Sequence, residues 1–365
     1  MRVAIVHDWL VGGGAERVVE ELHKLYPDAP IYTSYSTPEW RERLDGKVVT
    51  GWLQHLGSVR KFIPLLRIWW FTHLDLSGYD LVISSSGNGE AKGVKTPKNT
   101  VHINYCHAPT HFYWRFYDQY LKQPGFGPFN PIARLGLKLL VRPLRAWDYK
   151  AAQRADYFIA NSSHIQAEIK EFYGRDSVVI HPPVDTDRFS AAVTPLERRG
   201  FVTAARQVPF KKIDIIIGAC NELELPLTVI GRGPEHDRLV ALAGDTIMFH
   251  DAVSDAEMPS YFAAAEAFIF ASYEDFGVTP VEALATGTPV IAYKQGGALD
   301  YIKEGINGKF FTVQSVPSLC ATLQTFQPKA YAGPAIRSSA KAFSKQAFRD
   351  NFTDFANKII KEKRL

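Results

Sequence analysis

"ASYEDFGVTPVEALATGTPVIAY", Ala271 to Tyr293, decides the fold. An apolar run ends at Ala271. A short acidic loop with a single glycine follows, then a helix-like segment, then a second apolar run. Apolar runs separated by a helical segment are the mark of parallel strands covered by helices. Two glutamates, Glu274 and Glu282, flank the turn. Glu274 lies in the loop beyond the strand, where a turn requires no acid. For Glu282 two readings stand. Thr279-Pro280-Val281-Glu282 fits a capping box with proline in the first helical position, so the glutamate closes the helix end. Alternatively it holds a ligand. Gly277, Val278 and Thr279 would aim backbone N–H groups out of the helix start, where an anion is favoured.

The same alternation runs outward in both directions. "VAIVH", "PIYTSY", "DLVISSS", "TVHINYC", "DYFIANS" and "SVVIHPPV" read as strands in the first half. "FVTAAR", "LTVIGRG", "TIMFHD", "AFIFAS" and "PVIAY" read as strands in the second. The expected fold is α/β, with two Rossmann-like, doubly wound domains. Residues 1–185 form the first and 186–342 the second, joined near the proline pair Pro182-Pro183. A terminal helix at about 343–361 could pack back on either domain. Two such domains would face across a cleft, and ligands of open α/β sheets bind beyond the carboxyl ends of strands.

Bulk properties agree with a two-domain globular chain of 365 residues. The formal charge of +4 is too mild to imply nucleic acid, and no nucleic-acid-binding motif is present. Cys106, Cys220 and Cys320 suit neither a disulfide framework nor a zinc site, which points to a reducing cytoplasm. The first apolar run is short and meets a glycine turn, so it reads as a buried strand rather than a signal peptide. No stretch is long enough to span a bilayer.

Other loops beyond strands carry chemistry. Gly12, Gly13 and Gly14 precede a helix and either bind a ligand or form a plain turn. Arg206, Lys211 and Lys212 follow "FVTAA" and could neutralise a diphosphate or form a solvated basic loop. Gly231 in "VIGRGP" permits close backbone approach. His107, directly after a strand, can donate a hydrogen bond or act as acid or base near neutral pH. His107 and His111 with Pro109 between them make a poor zinc pair. Asp185-Thr186-Asp187 reads better as a turn and helix cap than as a metal site.

Together these residues resemble the retaining glycosyltransferases of family 4, whose second domain is the glycosyl transferases group 1 domain. "EDFGVTPVEALATGTPVIA" resembles that family's E-x7-E signature, and "GGAERVV", "YCHAP", "ANSSHIQAEI", "AARQVPFKKID", "VIGRGP" and "MFHDAVSDAEM" match its other landmarks in order. The resemblance implies a GT-B fold with a nucleotide-sugar donor and no metal or other cofactor. It implies that Arg206 and Lys211 bind the donor diphosphate and Glu282 the ribose. Glu274 and the backbone of Phe276, Gly277, Val278 and Thr279 would hold the sugar and phosphate. His107 would sit beside the sugar, Gly13 and Gly14 near the diphosphate, Gly231 within the donor site, and the segment from Asp251 through Ala252 to Val253 near the base. Lys212 stands where the family usually has glycine, so the local turn is expected to differ.

"YCHAPTHFYWRFYDQYL" resembles the H-x-P-x-R-Y-x-W-D region of bacterial polysaccharide mannosyltransferases, with His111, Phe112 and Arg115 departing from it. The resemblance implies a hexose donor, GDP-mannose foremost, and a lipid-linked or oligosaccharide acceptor. The alternatives are a UDP-sugar transferase, a GT-B nucleotide-sugar-binding subunit or an epimerase. Two cationic, aromatic-rich segments, 59–74 and 133–150, would lie on an anionic membrane surface or bury their apolar face in the core. The expected location is the cytoplasm, peripheral to the inner face of the membrane if those segments dock.

Overall fold

The computed structural model describes residues 1–56, 64–87, 89–122, 127, 130–193, 195 and 197–364. It divides into two compact units. Unit 1 is Met1–Pro182 with Phe348–Leu365, and unit 2 is Pro183–Ala347.

In unit 1 the elements begin with β1 (Val3–His7), α1 (Gly14–Leu25), β2 (Ile31–Thr33), α2 (Pro38–Arg43), β3 (Val48–Thr50), α3 (Pro64–Thr72) and β4 (Leu81–Ser86). They continue with β5 (Val101–Cys106), α4 (Tyr117–Lys122), α5 (Asn130–Ala152), β6 (Tyr157–Ala160), α6 (Ser163–Tyr173) and β7 (Val178–Val179). The strands form one parallel sheet in the order β3-β2-β1-β4-β5-β6-β7, with Ile5 opposite Ile83 and Ile83 opposite Ile103. Every residue of β1, β4 and β5 is buried, as a sheet covered on both faces requires.

In unit 2 the order is α7 (Thr186–Ser190), β8 (Phe201–Ala204), α8 (Ile213–Glu222), β9 (Leu227–Ile230), α9 (His236–Leu242), β10 (Ile247–His250) and α10 (Met258–Ala264). Then come β11 (Ala267–Phe270), α11 (Val278–Ala285), β12 (Val290–Tyr293), α12 (Ala298–Tyr301), β13 (Gly308–Phe311), α13 (Val316–Gln324) and α14 (Gly333–Ala340). Its parallel sheet runs β10-β9-β8-β11-β12-β13. The final helix, α15 (Lys345–Arg364), starts in unit 2 and delivers Phe348, Phe352, Ala356 and Ile359 to the core around β1, β4 and β5.

Each unit is therefore a doubly wound sheet whose strand order reverses once, between β1 and β4 in unit 1 and between β8 and β11 in unit 2. At a reversal the two flanking loops leave the sheet on opposite faces and open a crevice beyond the carboxyl ends. Two short strands, β3 and β13, were not among the expected ones, and "PIYTSY" and "SVVIHPPV" supply only three and two strand residues. Asp185 occupies the N-cap of α7 but makes no capping hydrogen bond. Its carboxylate instead pairs with Lys345 Nζ at 2.6 Å.

Burial in the unit 1 sheet also sets an acid limit on stability. His102, in β5, is fully buried with Nε2 2.8 Å from Ser84 Oγ, and desolvation pushes its imidazole down to about 4. An unfolded histidine titrates at ~6.5. Between these values the unfolded chain binds the extra proton, so this contribution is intact above ~6.5 and is lost as pH falls toward 4. We expect the melting temperature to drop over that window, with His102 accounting for up to about 1.4 kcal/mol per pH unit. The variant His102→Gln should show a shallower acid limb in thermal scans from pH 7 to pH 4. An unchanged slope would contradict the assignment.

Candidate functional site

The crevice of unit 2 lies where β8 and β11 part. The chain leaving β8 passes Ala205, exposed Arg206 and buried Gln207, then turns through Pro209–Lys211 into α8. The chain leaving β11 runs from Ala271 to Gly277 into α11. Lys211 Nζ bridges the two loops, 2.5 Å from Glu274 Oε1, and both side chains stay about one-fifth exposed. The Ser272 hydroxyl adds a bond to the Lys211 carbonyl. A lysine ammonium has three donors, so Lys211 can keep Glu274 and still donate to an anion. Arg206 has no ion-pair partner among the described residues.

The turn before α8 departs from expectation in an informative way. Lys212 adopts the left-handed region, φ 55° and ψ 35°. The change from glycine to lysine therefore leaves a glycine-type turn in place, and the lysine bears the strain.

The helix beyond β11 corrects the capping-box reading. α11 starts at Val278 with Gly277 as N-cap, so Thr279 and Pro280 are already inside the first turn and no side chain caps the end. Gly277 has φ +86°, and a Cβ there would stand 2.9 Å from both Phe270 Cζ and the Tyr301 hydroxyl. Glycine alone fits, and it fixes the start two residues before the T-x-x-E pattern would. Tyr301 is buried, and its hydroxyl has no hydrogen-bond partner among the described residues. Burial, then the charge of Glu274, raise its pKa well above the ordinary phenol value. A neutral phenolic donor thus lies against the N-cap of α11.

Glu282 is buried on α11 and stands 4.0 Å from Arg188 Nη2 on α7. Arg188 also reaches Asp255 at 3.3 Å. Sequence reasoning passed over Arg188, because nothing in "VDTDRF" announces a contact with a helix far along the chain. It also missed Gly297, whose N–H donates to the Glu274 carbonyl at 2.9 Å and holds the loop after β12 against the loop after β11. "YKQGG" carried the signal, since it too follows a strand.

On the other side of β8, Gly231 sits at φ +113°, with its carbonyl accepting from Gln207 Nε2. A Cβ at Gly231 would collide with the Ala205 carbonyl. His236 Nδ1 lies 2.8 Å from Gln207 Oε1. Asp251 pairs with Arg232 at 3.0 Å and faces His236 at 3.4 Å, and Ala252 and Val253 follow it, the first exposed and the second half-buried.

Unit 1 has a matching arrangement at its own reversal. Asp8, just past β1, accepts from Gly87 N–H at 2.9 Å and Ala91 N–H at 2.8 Å, both beyond β4. His107 lies past β5 with Nε2 2.8 Å from Ser85 Oγ, and that hydroxyl is 3.1 Å from His7 Nδ1. Gly13 and Gly14 are exposed at the start of α1. Buried Glu16 accepts from Val11 and Gly12 N–H, so the Gly12 amide is already engaged. Arg115, which stands where the mannosyltransferase pattern has aspartate, pairs with Glu168 at 2.7 Å and contacts His164 and His111. Among the described residues no group of three or more His, Cys, Asp or Glu is placed to hold a metal ion.

Two parallel sheets, of seven strands in unit 1 and six in unit 2 and each reversing once with charged residues gathered at the reversal, define a protein of GT-B fold. Residues 12–188 match the description Glycosyltransferase Family 4, and residues 184–327 match Glycosyl transferases group 1. Together the matches run without a gap from 12 to 327, and the chain belongs to the family 4 glycosyltransferases. It is similar to the D-inositol 3-phosphate glycosyltransferase of Mycobacterium tuberculosis, 27% identical over 247 residues, 61% of this chain. It spans about half the length of the curated relatives it matches, 49% here. Among solved structures it is similar to Anabaena Alr3699/HepE in complex with UDP-glucose, with TM-score 0.68, 18% identity and coverage of 98% and 100% of the two chains. It is also similar to sucrose-phosphate synthase from Thermosynechococcus elongatus, with TM-score 0.72, 16% identity and coverage of 99% and 100%.

The strain at Lys212 gives a direct check on this turn. Lys212→Gly should raise stability by about 1 kcal/mol by removing the left-handed side-chain conflict, offset in part by the freer unfolded glycine. Urea unfolding measures it, and a destabilised variant would contradict the geometry.

Proposed function

We propose that the protein is a retaining glycosyltransferase that moves a hexose from a nucleoside diphosphate sugar to a lipid-linked or oligosaccharide acceptor in polysaccharide assembly. The observation that carries this reading is the Lys211–Glu274 bridge beside exposed Arg206 and the glycine-started helix α11, in a family 4 chain.

As the bond from the sugar C1 to the phosphate oxygen breaks, negative charge grows on the departing diphosphate. Arg206, Lys211 and the first amides of α11 (Val278 and Thr279, with Gly277) stabilise it, and pre-aimed charges need no reorganisation during the reaction. The acceptor oxygen bonds C1 on the face the phosphate leaves, through an oxocarbenium-like state. Its proton passes to the departing phosphate oxygen, and configuration is retained. Glu274 grips sugar hydroxyls through the carboxylate that Lys211 orients. Glu282 accepts from the ribose hydroxyls, with Arg188 offsetting the cost of its burial. Gly231 lets the chain approach the diphosphate, and the Ala252–Val253 backbone meets the base. In unit 1, Gly13 and Gly14 serve the diphosphate, and His107, with its ring oriented by Ser85, donates to the sugar.

Mannose from GDP-mannose is the favoured donor, on the likeness of "YCHAPTHFYWRFYDQYL" to the mannosyltransferase region. The second reading is a UDP-hexose, favoured by the likeness to a solved protein in complex with UDP-glucose. A thermal-shift panel of GDP-, UDP- and ADP-sugars separates them, because ligand at 100 times its dissociation constant stabilises by about 2.7 kcal/mol. A shift confined to GDP-sugars supports the first, and one confined to UDP-sugars replaces it with the second.

Arg206→Ala should lower turnover on the order of 10² while leaving the melting temperature unchanged, since the side chain is exposed. Near-normal turnover would contradict the charge argument.

A further inference from the structure

Helix α5 presents an arrangement that neither the unit 1 core nor the proposed chemistry uses. Val141, Leu144, Asp148 and Ala151 recur at helical spacing and are buried. On the opposite side Ile132, Leu135 and Leu139 form a second apolar row, 70%, 59% and 68% exposed. A row of three large aliphatic side chains facing solvent on one helix face is unlike scattered surface leucines, and it marks a contact surface.

The charges beside this row are of one sign. From residue 130 to residue 147 there is no aspartate or glutamate, while Arg134, Lys138, Arg142 and Arg145 are all present. Arg134, Lys138 and Arg142 are exposed, with no ion pair among the described residues. Arg145 is half-buried over Trp114 and Tyr117. The neighbouring α4 contributes Asp118 and Lys122, which cancel.

A second helix also exposes large apolar side chains, though its one described cation, Arg67, is buried. In α3, Leu65 and Trp69 are exposed, with Trp52 beside Trp69. No acid occurs from residue 51 to residue 74. Arg60, Lys61 and Phe62, part of the same basic segment, lie outside the described residues.

Both helices hang from one turn. Arg67 of α3 makes a bidentate, buried pair with Glu90, both bonds 2.8 Å. Two residues on, buried Lys92 pairs with Asp148 of α5 at 2.7 Å. Asp148 also accepts from Thr110, Trp114 and Tyr173. Removing one partner of a buried pair strands the other charge, so α3 and α5 are held firmly from beneath. Their exposed rows can enter another medium without the helices leaving the fold.

We propose that α5, with α3 as a second anchor, docks unit 1 on an anionic lipid bilayer. An apolar row flanked by lysine and arginine is the chemistry of a helix lying in the headgroup boundary. The unpaired cations select anionic lipid, each by about fivefold, the equivalent of about 1 kcal/mol. A protein partner would have to supply acids around an apolar centre, and a second copy of this face would set like charges against each other.

The test is flotation of the intact protein with vesicles of phosphatidylcholine alone and with phosphatidylglycerol added, at low and high salt. The proposal predicts at least tenfold stronger partitioning onto the anionic vesicles, weakened by salt. The double variant Leu135→Glu/Leu139→Glu should lose that preference with its melting temperature and nucleotide-sugar thermal shift unchanged, because both positions are exposed and neither belongs to the proposed donor site. Equal binding to both vesicle types, or full binding by the double variant, overturns the proposal. So does a stable dimer in light scattering that the double variant splits, since a second copy then covers the row. The nucleotide-sugar shift is read separately, so failure here is distinguishable from failure of the transferase reading.

Discussion

A single ion pair, Lys211 to Glu274 across the reversal between β8 and β11, organises the second unit. Parallel strands on opposite sides of a reversal send their loops away from each other, and something must fix the distance between them. Here it is one ammonium and one carboxylate, only partly exposed, with Ser272 and Gly297 bracing the two loops from behind. The first unit solves the same problem with one buried carboxylate, Asp8, which gathers amides from the far side of its own reversal. One topology thus produces two charged crevices by different chemistry. The pair in unit 2 can admit an anion because ammonium donors remain, whereas Asp8 spends its carboxylate on the backbone.

Much of this is legible in the amino-acid sequence itself. Long apolar runs such as "DLVISSS" and "TVHINYC" became fully buried central strands, because a sheet covered on both faces leaves no polar alternation to confuse the reading. The glycosyltransferase landmarks fell on loops beyond strands, as open α/β sheets demand. What escaped were features set by distant neighbours. Strands β3 and β13 are edge elements whose apolar runs, Val48-Val49 and Phe310-Phe311, are too short to stand out. T-P-V-E satisfies a local capping pattern that left two readings of α11 open, and only the crowding of Gly277 by Phe270 and Tyr301 decides against the capping box. The pairs Arg67–Glu90 and Lys92–Asp148 join residues too far apart in sequence for any local rule. Lys212 shows the reverse case. Its departure from the family pattern was visible, but only the backbone reveals that the left-handed turn survives the change.

The turn from Glu90 to Lys92 links the chemistry of unit 1 to its surface. Its backbone is pinned by Asp8 at the sheet edge, and its two charged side chains carry α3 and α5. A chain built to act on lipid-linked glycans would gain from placing its docking helices on the same support as its carboxyl-edge loops.

The claim on which the account rests is that the crevice between β8 and β11 receives the diphosphate of the donor. A crystal structure with bound nucleoside diphosphate tests it most directly. The account predicts phosphate oxygens within about 3 Å of Arg206 and Lys211 side-chain nitrogens and of the first amides of α11. A diphosphate bound away from all three would contradict it.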